Sequence, residues 1–267
     1  MTDPISTALA TAELSVVGWL AEASNVALLA EVTVAGEPVR CIYKPVAGER
    51  PLWDFPGTAL AAREVLTAEV ARTFGWDLVP RTAWRDDGPL GPGMCQLWVD
   101  TTDDPPVGLF PAGGVPRGWL EVAEGYDAHG ERIVLAHRDG LPMQRLVLLD
   151  ALVNNADRKG GHVLSRPSGA LAGIDHGVTF HAENKLRTVL WGWAGQPIPE
   201  QLLTEVQAGA KAFLALVRRW GELEHAGTVH LSPVEVRAAV ARLDALLGSA
   251  AFPMPGQDWP TLPWPPM

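Results

Sequence analysis

Two acidic residues stand out for the chemistry their surroundings permit. Asp157 lies in NNADRKGGHVL and Asp175 in GIDHG, 18 positions later, each at the edge of an apolar segment. A pair of carboxylates so placed suits phosphoryl transfer, one orienting a nucleophile and the other holding a metal on the phosphates. The same loop carries Arg158 and His162. Aspartates also cap helices and open turns for purely structural reasons, so the pair alone leaves both explanations standing.

The elements around these residues define where they would sit. The run LVLLDALVNN leads into the Asp157 loop as a helix from Leu141, and a hairpin connects that loop to Asp175. Upstream, ALATAEL starts a short helix, and strands follow from Val16 to Leu20, Val26 to Val34 and Val39 to Tyr43. Ala35-Gly36-Glu37-Pro38 forms the hairpin turn between the last two. The polar turn at Ser24-Asn25 would offer backbone N–H groups to an anion. Lys44 ends the third strand and would point towards that turn, although an edge-strand lysine that blocks aggregation reads the same way.

Thr58 can cap a helix over residues 59–74. Glu64 lies near its apolar stripe and needs a partner there. Lys44 is one choice, and a local pair with Arg63 or Arg72 is the other. Val79 to Trp84 and Met94 to Val99 read as two more strands. Residues 101–140 are rich in Pro and Gly and read as a lid or an exposed loop, with a strand pair at Trp119 to Glu124 and Arg132 to His137. Two helices close the chain, from Pro199 to about Leu223 and from Ser232 to about Leu247, the second opening on a capping box. The tail AFPMPGQDWPTLPWPPM is not regular structure and is expected to brace a surface of the protein.

Composition narrows the function classes. The chain has 267 residues, 47% hydrophobic, with a net charge of −10, which disfavours binding to nucleic acid or to an anionic membrane surface. Cys41 and Cys95 read as buried thiols of a reducing compartment. The N-terminus lacks a basic signal-peptide region and no apolar run spans a bilayer. The expectation is a cytoplasmic bacterial protein without an integral membrane segment; nothing in the sequence sets its oligomeric state.

NNADRKGGHVL followed by GIDHG, with CIYKP and AAREV upstream, resembles the phosphatidylinositol 3-/4-kinase-like branch of the protein-kinase-like superfamily. HipA-type kinases and type II phosphatidylinositol 4-kinases are relatives in that branch, and the pattern is most similar to a small, mainly actinobacterial group within it. The resemblance covers most of residues 16–193. It implies an α+β, two-lobed protein-kinase-like fold: an N-lobe over residues 1–100, a C-lobe over 101–250 and a Pro-rich tail over 251–267. It also implies ATP and Mg²⁺ or Mn²⁺ as cofactors. By the same resemblance Lys44 contacts the ATP phosphates and Glu64 pairs with it. Ser24 and Asn25 form the phosphate loop, and Gln96, Leu97, Trp98 and Val99, with Asp100, hold adenine between the lobes. Asp157 is the catalytic aspartate, and Asp175 binds the metal.

The pattern departs from the family at the second metal ligand. Asn is expected five positions after Asp157, and His162 stands there. An imidazole can ligate a metal, although Mg²⁺ prefers hard oxygen ligands. Lys159 is a further candidate, since phosphoryl transfer needs cationic stabilisers. The acceptor would be a small-molecule alcohol, a lipid headgroup or a protein hydroxyl. Transfer of AMP by the same site, and a nucleotide-binding scaffold without turnover, are the two alternatives.

Overall fold

The computed structural model describes residues 3–20, 25–55, 60–223, 231–257 and 259–267. It is an α+β protein of antiparallel sheets and, among the described residues, five α-helices.

The first sheet has the order β1-β2-β3-β5-β4, with β1 Ser15–Trp19, β2 Leu28–Val34, β3 Glu37–Pro45, β4 Thr82–Arg85 and β5 Gly93–Leu97. All its pairings are antiparallel. A tight turn joins β2 to β3, because Ala35 and Gly36 both take positive φ and Val34 pairs directly with Glu37. Side chains alternate across a strand. On β3 this sends Cys41 and Tyr43 into a small core beneath helix α1, Pro4–Thr11, and leaves Lys44 on the opposite face. Helix α1 begins four residues before the ALATAEL signal, because Asp3 caps it and Pro4 occupies its first turn. The Arg85 guanidinium holds its C-terminal end by donating to the carbonyls of Leu9 and Ala12.

Helix α2, Leu60–Thr73, covers the face that bears Lys44. It is buried nearly all round, from Leu60 to Ala68 and again at Val70 and Ala71. The expected Thr58 cap lies outside the described residues. Instead the Glu49 carboxylate accepts hydrogen bonds from the backbone N–H groups of Leu60 and Ala61, both at 2.8 Å. An acid at a helix start satisfies its free donors and complements its dipole.

Residues 101–140 are not a bare loop. They build a second antiparallel sheet of order β6-β8-β7, with β6 Val107–Pro111, β7 Trp119–Tyr126 and β8 Arg132–Arg138. The strand over 107–111 escapes sequence reading because it is short and ends in a proline, which an edge strand tolerates. Helix α3, Leu141–Val153, follows it, then the short hairpin of β9, Val163–Ser165, and β10, Leu171–Gly173.

Helices α4, Glu200–Glu222, and α5, Pro233–Ser249, complete the larger core. Helix α4 passes so close to the end of α2 that a Cβ at Gly209 would meet the Phe74 ring and the Thr73 carbonyl. Helix α5 starts with the expected capping box between Ser232 and Glu235. The same Glu235 pairs at 2.6 Å with Arg63, which is buried in α2. Burial works against the Glu235 carboxylate, but Arg63 holds its pKa below the ordinary range. No helix among the described residues is long and apolar enough to cross a membrane.

Glu235 therefore caps one helix and neutralises a buried cation on another. Ser232→Ala should cost about 1 kcal/mol, the typical value of a lost cap. Glu235→Ala should cost about 3–5 kcal/mol, because it strands Arg63. Urea unfolding of the two variants would test the difference.

Candidate functional site

The 157–162 loop is held by a buried guanidinium. Arg158 is fully buried and donates twice to Asp150 of α3, at 2.8 and 2.9 Å. It also donates to the carbonyls of His162 and Ile174 and to Nε2 of His176 at 2.6 Å. Those carbonyls belong to the two ends of the β9–β10 hairpin, and Ile174 N–H closes the hairpin on the His162 carbonyl at 3.0 Å. One cation thus fixes the Asp157 loop and the Asp175 loop together. His176 accepts at Nε2 and stays neutral, its pKa driven well below the ordinary histidine value by burial and by Arg158.

Helix α3 ends where Asn154 turns left-handed, φ 55°. The Asn154 side chain reaches the carbonyls of His181 and Glu183. Asn155 donates to Asp150 at 2.9 Å and accepts from the Asp157 N–H at 3.0 Å, which anchors Asp157 to the same buried carboxylate. The sequence reading assigned no role to Asp150, Arg158, Asn155 or His176. One signal was available: a charged residue inside the apolar run LVLLDALV demands a buried partner, and Arg158 follows eight positions later.

Around this frame six of the expected residues gather, four in contact about Asp175 and two paired at Asp157. Lys44 Nζ lies 2.7 Å from Glu64 Oε1 and 3.2 Å from Asp175 Oδ1. His162 Nε2 lies 3.4 Å from Asp175 Oδ2. Lys159 Nζ lies 3.1 Å from Asp157 Oδ2, and both Asp157 and Lys159 act electrostatically on His162. The hairpin register accounts for the His162–Asp175 contact, since His162 and Ile174 face each other one step beyond the Val163–Gly173 pair. Asp175 takes a left-handed φ of 57°, a conformation Asp tolerates better than most residues, which turns its carboxylate towards Lys44.

The cluster opens to solvent on one side. The Asp175 side chain is 47% exposed and those of Lys44 and Asp157 about a quarter, while Glu64 is 2% exposed with one oxygen unpartnered. Burial opposes charge on Lys44, but Glu64 and Asp175 raise its pKa above the ordinary lysine range. Lys44, against burial, holds the Asp175 carboxyl far below the usual carboxylate range. Burial pushes Glu64 up to about 7, with Lys44 pulling the other way. His162 is lowered by burial, partly offset by Asp175, so its imidazole is neutral near pH 7.

Asp175 and His162 are two adjacent donors, one hard oxygen and one neutral imidazole nitrogen. Among the described residues no three His, Cys, Asp or Glu side chains converge as a ready metal cage. Such a pair would leave most of an ion's shell to waters or phosphate oxygens, and its imidazole nitrogen departs from the all-oxygen shell that Mg²⁺ prefers.

The remaining expected residues lie elsewhere. Gln96 is buried and its amide donates to Thr82 Oγ1 at 2.9 Å. The Leu97 and Trp98 N–H groups are spent on the Arg81 and Arg40 carbonyls. Leu97, Trp98 and Val99 line a cleft of about 440 Å³ with Asp3, Arg81 and Ser168, and Lys44 and Asp175 do not line it. Asn25 accepts from the Arg50 N–H at 2.8 Å and so braces the loop after β3. Ser24 lies outside the described residues.

The chain is 45% identical over 267 aligned positions to Protein Rv2133c of Mycobacterium tuberculosis, covering 96% of this chain and 93% of that protein. No family model matches the chain.

Two consequences can be measured. Asp150→Asn should destabilise the protein by about 3–5 kcal/mol, because it leaves Arg158 buried without its counter-charge; chemical denaturation reads this directly. Glu64 has a folded pKa of about 7 against 4.5 for an ordinary glutamate. It binds its proton more tightly when folded, so its contribution is full below pH 4.5 and is lost as pH rises to 7. Relative to Glu64→Gln, the wild type should lose on the order of 3 kcal/mol across that window.

Proposed function

The chain belongs to the family of Protein Rv2133c, and from its own residues and their geometry we propose that it is an ATP- and metal-dependent phosphotransferase of the phosphatidylinositol 3-/4-kinase-like type, with a two-lobed protein-kinase-like fold. The observation that carries this reading is the position of Lys44. It ends the third strand, pairs at 2.7 Å with a glutamate of the next helix and reaches, at 3.2 Å, an aspartate 131 residues away. Kinases of this superfamily need that strand lysine, its helix glutamate and a metal-binding aspartate in one cleft.

In this reading Lys44 binds the nucleotide phosphates, with Glu64 fixing its direction. Asp157 orients the acceptor hydroxyl and takes its proton. Lys159, paired with Asp157 at 3.1 Å, would offset charge on the transferring group. Mg²⁺ or Mn²⁺, when bound, would neutralise charge on the phosphates, and Asp175 and His162 are the residues that would hold it. The acceptor is a small-molecule alcohol, a lipid headgroup or a protein hydroxyl.

Turnover of ATP with Mg²⁺ or Mn²⁺ should fall by roughly 10²–10⁴-fold in Asp157→Ala, the range of a lost general base, and should fall with Asp175→Ala as well. Undiminished turnover in both variants would overturn the assignment. Mass spectrometry of the modified acceptor separates gain of phosphate from gain of AMP. Tight binding of ATP with no transfer would instead favour a scaffold role, consistent with a preformed donor set of only two residues.

A further inference from the structure

Residues 259–267 do more than cover a surface: their anchors fall on the two segments that flank Asp157. Trp259 lies over Lys185 Nζ at 4.1 Å and over the Arg187 guanidinium at 5.6 Å. The Thr261 carbonyl accepts from the Thr188 N–H at 3.1 Å and from Trp191 Nε1 at 2.9 Å. Leu262 packs on the main core. At the far end the Pro266 carbonyl accepts from the Gly160 N–H at 2.8 Å.

The strand-like run 187–189 is itself laced to the 155–158 backbone. Arg187 N–H donates to the Asn155 carbonyl, Arg158 N–H to the Arg187 carbonyl, and Val189 N–H to the Arg158 carbonyl, at 3.0–3.1 Å. A segment fixed to 185–191 and then bonded to Gly160 therefore spans the loop from both sides. Four prolines among residues 260–266 restrict the segment before it docks, which reduces the entropy lost on docking. Gly160 leaves room for it: a Cβ there would meet Met267 Sδ at 2.6 Å and Cε at 2.8 Å.

We infer that residues 259–267 are a positioning strap for the 157–162 loop, holding Asp157 and Lys159 in register for the transfer step. The inference rests on the phosphotransferase reading for its catalytic consequence, while the strap itself is structural and separately measurable. Gly160 and Met267 are positioning residues; neither is placed to touch the reacting groups.

One substitution tests this in the intact chain. Gly160 opens the short 3₁₀ turn Gly160–His162 and Lys159 before it is extended, so proline is tolerated at this position. Gly160→Pro removes the N–H that donates to the Pro266 carbonyl; the Met267 atoms nearest to it are the tip of a flexible side chain that can swing aside. Gly160→Pro should lower kcat, on the order of 10²-fold for a misplacement near 1 Å, and leave KM for ATP unchanged. Gly161→Ala, whose Cβ meets nothing within 4 Å and whose φ is not positive, should leave both unchanged.

Amide hydrogen exchange at position 162, whose N–H is bonded to the Lys159 carbonyl within the loop, reads the hold on the loop without any assay of turnover. It should be slow in the wild type and in Gly161→Ala, and faster in Gly160→Pro. Equal exchange and equal rates in Gly160→Pro and Gly161→Ala would overturn the strap, and so would a rise in kcat for Gly160→Pro. Should no form of the protein turn over ATP while exchange follows the expected pattern, the phosphotransferase reading fails and the strap stands as a structural clamp.

Discussion

Most of the site depends on one buried ion pair. Arg158 and Asp150 are almost wholly withdrawn from water, and isolated charges at that depth would cost several kcal/mol each. The cost is met by saturation. Asp150 also accepts from Asn155, and Arg158 uses its remaining donors on two loop carbonyls and a histidine. Satisfying that guanidinium is possible only when the helix end, the Asp157 loop and the hairpin leading to Asp175 take one relative arrangement. The loops that carry two acids 18 positions apart are thereby held by one cation.

The other half of the site comes from the first sheet by simple alternation. Because Cys41 and Tyr43 face the core beneath α1, Lys44 must face α2. Helix α2 is buried on nearly every side, so Glu64 has no solvent to turn towards. A buried carboxylate and a strand-end ammonium then find each other, and the exposed Asp175 completes the contact. The close approach of α4 to α2 at Gly209 packs the helix behind the sheet against the larger core.

The sequence made the local elements and several site residues legible, because their signals are short-range. The β2–β3 turn, helices α3 to α5, the β9–β10 hairpin and the Lys44–Glu64 pair all follow from periodicity, capping or a charge that needs a partner. Three features were hidden for physical reasons. Asp3-Pro4 opens α1 before its apolar pattern begins. The strand at 107–111 is an edge strand in a Pro-rich stretch, where neither propensity nor alternation is strong. The Arg158 network is hard to read because a buried arginine and a solvent-facing one look alike in a polar loop; the sequence shows that Asp150 needs a buried partner, and the fold shows which one. The adenine role of the Gln96–Val99 segment rests on the resemblance, and the fold uses part of the segment's hydrogen-bonding capacity.

Lys44 serves two carboxylates at once, and that arithmetic governs what can enter. One ammonium against Glu64 and Asp175 leaves this spot neutral to negative across the titration of Glu64. A polyanionic guest arriving bare would add repulsion to a site that has no spare positive charge at that spot. Such a guest must either carry its own counter-ion or pull Lys44 away from Asp175, freeing that carboxylate to receive one. Occupancy by anion and cation should therefore be mutually dependent, each tightening the grip on the other.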